Sequence, residues 1–314
     1  MKRISVFILL CVLALACTNE MIIYDKTSGI DRTLVQILDY QLRDNTKVDI
    51  KLSEYAELLE WKYRGITNRE NLIVKEFTIE LPESLSRGER ESFSLSLRKD
   101  NGLTTRASLM LVGKNPNPPS MIINELSIKG TSTAPDRIEL LVREKGNTAG
   151  MILADGYSLD DSSYCVLPDL DVDEGDIIVV YWDKKPDKSS ETRKNGKKTY
   201  YLEAGSSSTL ISTDGMVVLF LDTDGKVEDL IIYSNNSEDE ENIFGSDKNK
   251  TEAEALIALG AWYGGPVYSG NVTSSRVLAR VPDSIDSDSA EDWFTTSARK
   301  STFGDINTLD VYTP

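Results

Sequence analysis

Between residues 21 and 115 apolar and polar residues alternate with a period of two, in run after run. Val48, Ile50 and Leu52 alternate with Lys47, Asp49 and Lys51. Leu59, Trp61 and Tyr63 alternate with Glu60, Lys62 and Arg64. Phe77, Ile79 and Leu81 flank Thr78 and Glu80, and Phe93, Leu95 and Leu97 flank Ser94 and Ser96. Successive side chains of a strand point to opposite faces, so each run predicts a strand with one core face and one wet face. The same alternation argues against a helix over residues 54–64. Asn101-Gly102 predicts a two-residue hairpin turn, with Leu109 and Leu111 on the return strand. Short strands at this spacing predict an immunoglobulin-like β-sandwich over residues 21–115, with Trp61 as its core anchor.

Lys114-Asn115-Pro116-Asn117-Pro118-Pro119 follows. Proline cannot donate to a sheet ladder and fixes its own φ, so residues 116–120 read as a stiff linker. A second strand-rich stretch then fills residues 121–314. It begins at Met121-Ile122-Ile123 and continues through Ile138 to Val142, Tyr164 to Leu167, Ile177 to Tyr181, Met216 to Leu221 and Val227 to Tyr233. The expected fold class is all-β, with two β-sandwich domains.

At 314 residues the chain has room for two such domains. It carries 35 Lys and Arg against 51 Asp and Glu, a formal charge of −16. That balance argues against nucleic acid as a partner, because neutralising phosphates needs a basic surface. The chain contains no His, which excludes His-based triads, His zinc sites and His general bases.

Lys2 and Arg3 precede an uncharged, almost wholly apolar run from Ile4 to Ala16. A bilayer span needs roughly 20 residues, so this run is too short to cross and reads as an export signal. It ends Leu13-Ala14-Leu15-Ala16-Cys17, which resembles the lipobox of bacterial lipoproteins, with Leu15 where that pattern has a smaller residue. The resemblance implies a signal peptide over residues 1–16, acylation of Cys17 and a short lipidated tether over 17–20. The protein would then be exported and held on a membrane of the cell envelope, periplasmic or surface-exposed. Cys11 lies inside the apolar run. Cys165 would remain without a partner, so no internal disulfide is expected.

The second half also carries an ordered set of short motifs. They are Ile123-Asn124-Glu125, then Asp136, Ile138, Glu139 and Leu140, then Gly156 and Leu159, Leu167-Pro168, and Gly175. Leu221-Asp222, Gly225, Asp229, Arg276, Asp292-Trp293, Gly304 and Asn307 complete it. In this order they resemble the lamin tail domain family over residues 118–312. Long insertions at about 183–209 and 234–272 depart from the family pattern, as does Thr302-Phe303 where a proline often precedes the closing glycine. The resemblance implies an immunoglobulin-like sandwich with a binding or tethering role and no active site. The residues themselves read as structural. Gly225 supplies a positive-φ turn, Trp293 fills the core, and Glu125 and Glu139 pair with Arg137 or with turn amides.

Three groups remain as candidates for chemistry. Asp169, Asp171 and Asp173, with Glu174 and Asp176, are dense enough in oxygen to hold calcium, or form a solvated acidic turn. Asp222-Thr223-Asp224-Gly225 reads as a hairpin turn, as its glycine comes too early for a calcium loop. Lys184, Lys185, Lys188, Arg193, Lys194, Lys197 and Lys198 give residues 183–199 a net charge of +4 in an acidic chain. This basic loop is expected either to meet a partner or to neutralise the protein's own acids. No cofactor is implied beyond calcium, and no motif selects a catalytic pair. The expected function is non-catalytic binding or scaffolding at a membrane surface, through the lipid on Cys17 and an unidentified protein or polysaccharide partner. The alternative is an envelope hydrolase, calcium-dependent, with the acidic loops as its site.

Overall fold

The computed structural model describes residues 22–24, 34–159, 163–184, 187–205, 210, 213–222, 225–236, 242–283 and 285–314. The expected signal peptide, Cys11, Cys17, Lys185, Thr223 and Asp224 lie outside the described residues. The described residues are all-β apart from one helix and a single 3-10 turn.

The first sandwich is built from β1 (Ile22–Tyr24), β2 (Ile37–Arg43), β3 (Lys47–Tyr63), β4 (Ile66–Glu80), β5 (Arg90–Arg98) and β6 (Thr104–Val112). These form one continuous sheet in the order β1-β6-β5-β3-β2, with β4 along the other side of β3. The two alternating runs at 48–52 and 59–64 are one 17-residue strand, not two. Register shifts after Lys51 and after Leu58 bend it, so that β2 pairs with its first part and β5 with its second. A β-bulge adds a residue and reverses the parity of everything beyond it. Hence Leu58 enters the core while Leu59 stays half-buried. Trp61 is buried as expected and stacks on Phe93, with ring centroids 5.9 Å apart. The turn at Asn101-Gly102 differs from the expected two-residue form. Lys99 N–H bonds to Leu103 O at 2.9 Å, leaving three residues in the loop, with Gly102 at φ 83°. That is the turn-plus-bulge form, in which the glycine takes the left-handed position.

The second sandwich contains β7 (Ser120–Ser127), β8 (Arg137–Glu144), β9 (Gly146–Asn147), β10 (Ile152–Asp155), β11 (Ser163–Val166), β12 (Asp171–Val172) and β13 (Ile177–Tyr181). It continues with β14 (Glu191–Thr192), β15 (Lys198–Glu203), β16 (Gly215–Phe220), β17 (Val227–Ser234), α1 (Asp247–Ala258), β18 (Val267–Tyr268), β19 (Leu278–Arg280) and β20 (Trp293–Thr295). A seven-stranded sheet, β14-β15-β13-β8-β7-β19-β20, faces a five-stranded sheet, β11-β10-β16-β17-β18, and β9 pairs with β12 apart. Ile123, Leu140, Ile178 and Val180 from one sheet meet Leu153, Val218 and Ile231 from the other in a single core.

The two insertions are structured where they are described. β13 and β15 run parallel, and parallel neighbours need a crossover of a dozen or more residues. Residues 182–197 are that crossover. The second insertion contains α1. Ser246 caps it by accepting the Asn249 N–H, and Ala253 and Leu256 enter the core.

The proline segment does not hold the domains apart. Asn115 Nδ2 donates to Ala149 O at 3.1 Å, and Asn147 N–H donates to Asn117 O at 2.9 Å. Arg87 of the first sandwich pairs with Asp169 at 3.0 Å and Asp171 at 3.4 Å of the second. Beside this contact Gly88 and Gly150 touch backbone to backbone. A Cβ on Gly88 would lie 2.7 Å from Gly150 N, and Gly88 itself sits at φ +69°. Gly88→Ala is therefore expected to cost about 2–3 kcal/mol in urea unfolding, since both overlap and a left-handed backbone oppose it. Asp169→Ala is expected to shift the urea midpoint far less than Gly88→Ala, because Asp171 still pairs with Arg87 and still accepts from Asn147.

Candidate functional site

The most heavily buried charges lie where the resemblance motifs cluster. Asp229 on β17 and Arg280 on β19 belong to opposite sheets and meet at 2.9 Å, with side chains 2% and 3% exposed. Asp229 also accepts the Ile123 N–H of β7 at 2.5 Å, and Arg280 Nε donates to Ile123 O at 3.0 Å. Arg280 further contacts Asp286 at 2.6 Å and Asp292 at 3.5 Å, and lies 4.9 Å over the Trp293 ring. Burial pushes the Asp229 carboxyl up, and the Arg280 charge pulls against it. Arg276 of the motif set lies elsewhere: it stacks 4.1 Å over Tyr312, and the buried arginine is Arg280. An arginine inside the apolar run Val277-Leu278-Ala279-Arg280-Val281 was the available signal, because buried charge is tolerated only when paired.

On the outer face of the same sheet, Glu125 and Glu139 stand side by side on β7 and β8. Both are fully buried, beneath the closing segment of the chain. Glu125 accepts the Thr302 N–H at 2.9 Å, and Glu139 accepts the Gly304 N–H at 2.6 Å and Asn124 Nδ2 at 2.7 Å. Of the two expected partners, it is the turn amides that hold them. Asn307 completes the set by donating to Asn124 O at 3.0 Å and Arg280 O at 2.8 Å. Phe303 packs with Val179, Tyr181 and Tyr201 over this face. Burial raises Glu125 to about 7 and Glu139 to about 8, the latter also through the neighbouring Glu125 charge. These carboxylates hold a strap and do not face a cleft.

The acidic trio does not gather as a metal site. Asp169 and Asp171 accept from Asn147 Nδ2, each at 2.7 Å, and both pair with Arg87. The Arg87 hydrogen bond pulls Asp169 below the usual carboxylate range. Among the described residues the carboxylates that converge are Asp229, Asp286 and Asp288, and Arg280 already sits between Asp229 and Asp286. Cys165 is buried, its thiol pushed up to about 11, a setting that disfavours the reactive thiolate. Gly225 has φ 79° as its turn requires, and Trp293 is in the core.

The basic loop is a hairpin, β14 and β15, at the edge of the seven-stranded sheet. Lys188 pairs with Glu191 at 3.1 Å and contacts Tyr201, and Arg193 donates to Gly175 O. Asp176 clips the hairpin to the acidic turn: it accepts the Lys198 N–H at 2.8 Å and the Asp173 N–H at 3.1 Å. The aliphatic stem of Lys197 lies over Gly175. An open cleft results, lined by Lys145, Lys197 and Lys198 and by Glu144, Asp173, Glu174 and Asp176. Its lining holds no hydroxyl or thiol. Such a cleft can recognise charge, and no nucleophile of the Ser, Thr or Cys type stands in it. Lys184, Lys194, Lys197 and Lys198 make no ion pair among the described residues, and Lys184, Lys194 and Lys198 are exposed.

Residues 119–295 match the family model TP_1001_2nd, whose description is a protein second domain. No curated protein matches the chain. A crystal structure of a DUF4876 family protein from Bacteroides thetaiotaomicron VPI-5482 aligns over 85% of this chain and 94% of its own. Identity is 10% and the TM-score is 0.31.

The buried pair of glutamates predicts a pH effect. Both bind protons more tightly folded than at the ordinary value of 4.5, so their stabilising contribution is complete below about pH 4.5 and is lost as pH rises to about 8. The stability of the wild type relative to Glu139→Gln should therefore fall across that window in urea titrations. A difference that rises with pH would contradict the assignment.

Proposed function

The chain belongs to the TP_1001_2nd family, whose model takes in more than half of it, and from that premise we propose a non-catalytic binding or scaffolding lipoprotein of the bacterial envelope. Cys17 carries the anchor, the first sandwich docks against the second, and the second, lamin-tail-like sandwich presents the basic hairpin. The observation that carries this reading is the hairpin itself. It keeps Lys194, Lys197 and Lys198 outside any ion pair among the described residues, in a chain of net charge −16. The most deeply buried acids are, by contrast, taken up in holding sheets and strap together. A partner that is itself acidic, such as an anionic polysaccharide or an acidic protein segment, fits that surface. Steering by such a patch weakens with salt.

The anchor and the surface are tested separately. Cys17→Ala should move the protein from the membrane to the soluble fraction, because loss of acylation removes the buried acyl methylenes that hold it. On beads bearing polygalacturonate, the soluble protein should be retained at low salt. Replacing Lys194, Lys197 and Lys198 together by glutamate should abolish that retention. Equal retention of both proteins would overturn the role of the hairpin.

A further inference from the structure

Three turns meet beside the β14–β15 hairpin and leave charges of both signs unmatched. Gly175 N–H donates to Val142 O at 2.8 Å and Val142 N–H to Asp176 O at 3.0 Å, which ties the turn 173–176 to the end of β8. Asp176 ties the same turn to the hairpin, and its two carboxylate oxygens are taken up by the Lys198 and Asp173 amides. These bonds fix the frame without help from the exposed charged side chains around it. The cleft within it measures about 640 Å³, in the range of roughly 300–1,000 Å³ usual for a small-ligand site. Lys145, Lys197 and Lys198 line it together with Glu144, Asp173 and Glu174. Among the described residues none of these six side chains makes an ion pair or a hydrogen bond.

We propose that this cleft binds a zwitterionic saccharide unit, one that carries a primary ammonium beside a carboxylate. The lysines take the carboxylate, and Glu144, Asp173 and Glu174 take the ammonium. A ligand of one sign satisfies half of these groups and is repelled by the rest, so the lining selects against a pure polyanion and a pure polycation alike. The lining also selects the kind of ammonium. A quaternary ammonium is held by aromatic faces, and no aromatic residue lines the cleft. A primary ammonium brings three N–H donors, which free carboxylates accept. Besides Asp176, only Asn195 and Gly196 complete the lining, so no large apolar side chain is there to hold an acyl tail. The inference deepens the reading of the hairpin as a polysaccharide-binding surface and rests on it.

The test is calorimetric titration of the full chain, in non-ionic detergent, with two oligosaccharides of one backbone. Hyaluronan fragments carry carboxylates alone; the same fragments after N-deacetylation carry carboxylates and primary ammonium groups. Just below neutral pH and at equal salt, the deacetylated form should bind about ten-fold more tightly, the gain of one charge-assisted hydrogen bond. Glu144→Gln with Glu174→Gln should erase that preference, and Lys197→Gln should weaken both forms alike. Both glutamates are exposed and hold no other group in place among the described residues, and retention on polygalacturonate reports that the double variant is folded. Equal binding of the two forms by the wild type overturns the proposal. A preference that survives the double variant overturns it too, because the ammonium is then read elsewhere. The underlying reading fails differently. If polygalacturonate is retained through Lys194, Lys197 and Lys198 but the two forms bind equally, the zwitterion fails and the hairpin stands; if neither polymer is held, both fail.

Discussion

Arg280 and Asp229 reach across from opposite sheets of the second sandwich and meet at 2.9 Å with almost no solvent on either side. A sandwich core is otherwise held by non-directional burial, which tolerates sliding of one sheet over the other. An ion pair that also bonds Ile123 on both its N–H and its C=O ties β17, β19 and β7 at one position. Removing one partner would leave the other charge buried and uncompensated, typically a loss of about 3–5 kcal/mol. The pair therefore fixes where the sheets sit more than how strongly they attract.

The strap depends on that placement. Asn307 bonds to Asn124 beside Ile123 and to Arg280 O, so the closing segment is read from the same residues. Glu125 and Glu139 then hold Thr302 and Gly304 by their amides, and Phe303 covers apolar surface that would otherwise face water. The outer face of a sheet normally shows polar residues to solvent. Here Ile177, Val179 and Tyr181 occupy it, which a strap must cover. Charge at the heart of the domain thus serves architecture, while Lys194 and Lys198 of the β14–β15 hairpin stay exposed.

Much of the strand content was legible from alternation, and the all-β class followed from it. Trp61, Trp293 and Gly225 stand where their size or φ required. What was not legible depended on bulges and on distant partners. The alternation at 59–64 named Leu59, yet a register shift at Leu58 reversed the inward face, and no local signal marks such a shift. The helix α1 has a mostly polar sequence with few core residues, so its period was hidden. Asp169 and Asp171 looked like metal ligands because Arg87, their partner, lies more than 80 residues away in the chain. Arg193 and Lys188 looked like free basic residues for the same reason, with Gly175 O and Glu191 brought to them only by the fold.

The claim that one buried pair sets the position of the sheets is tested most directly by a double-mutant cycle on Asp229→Asn and Arg280→Met in urea unfolding. The account predicts a coupling energy of about 2 kcal/mol or more, because each single change strands the other partner and the double change does not. Additive losses, with a coupling near zero, would contradict it.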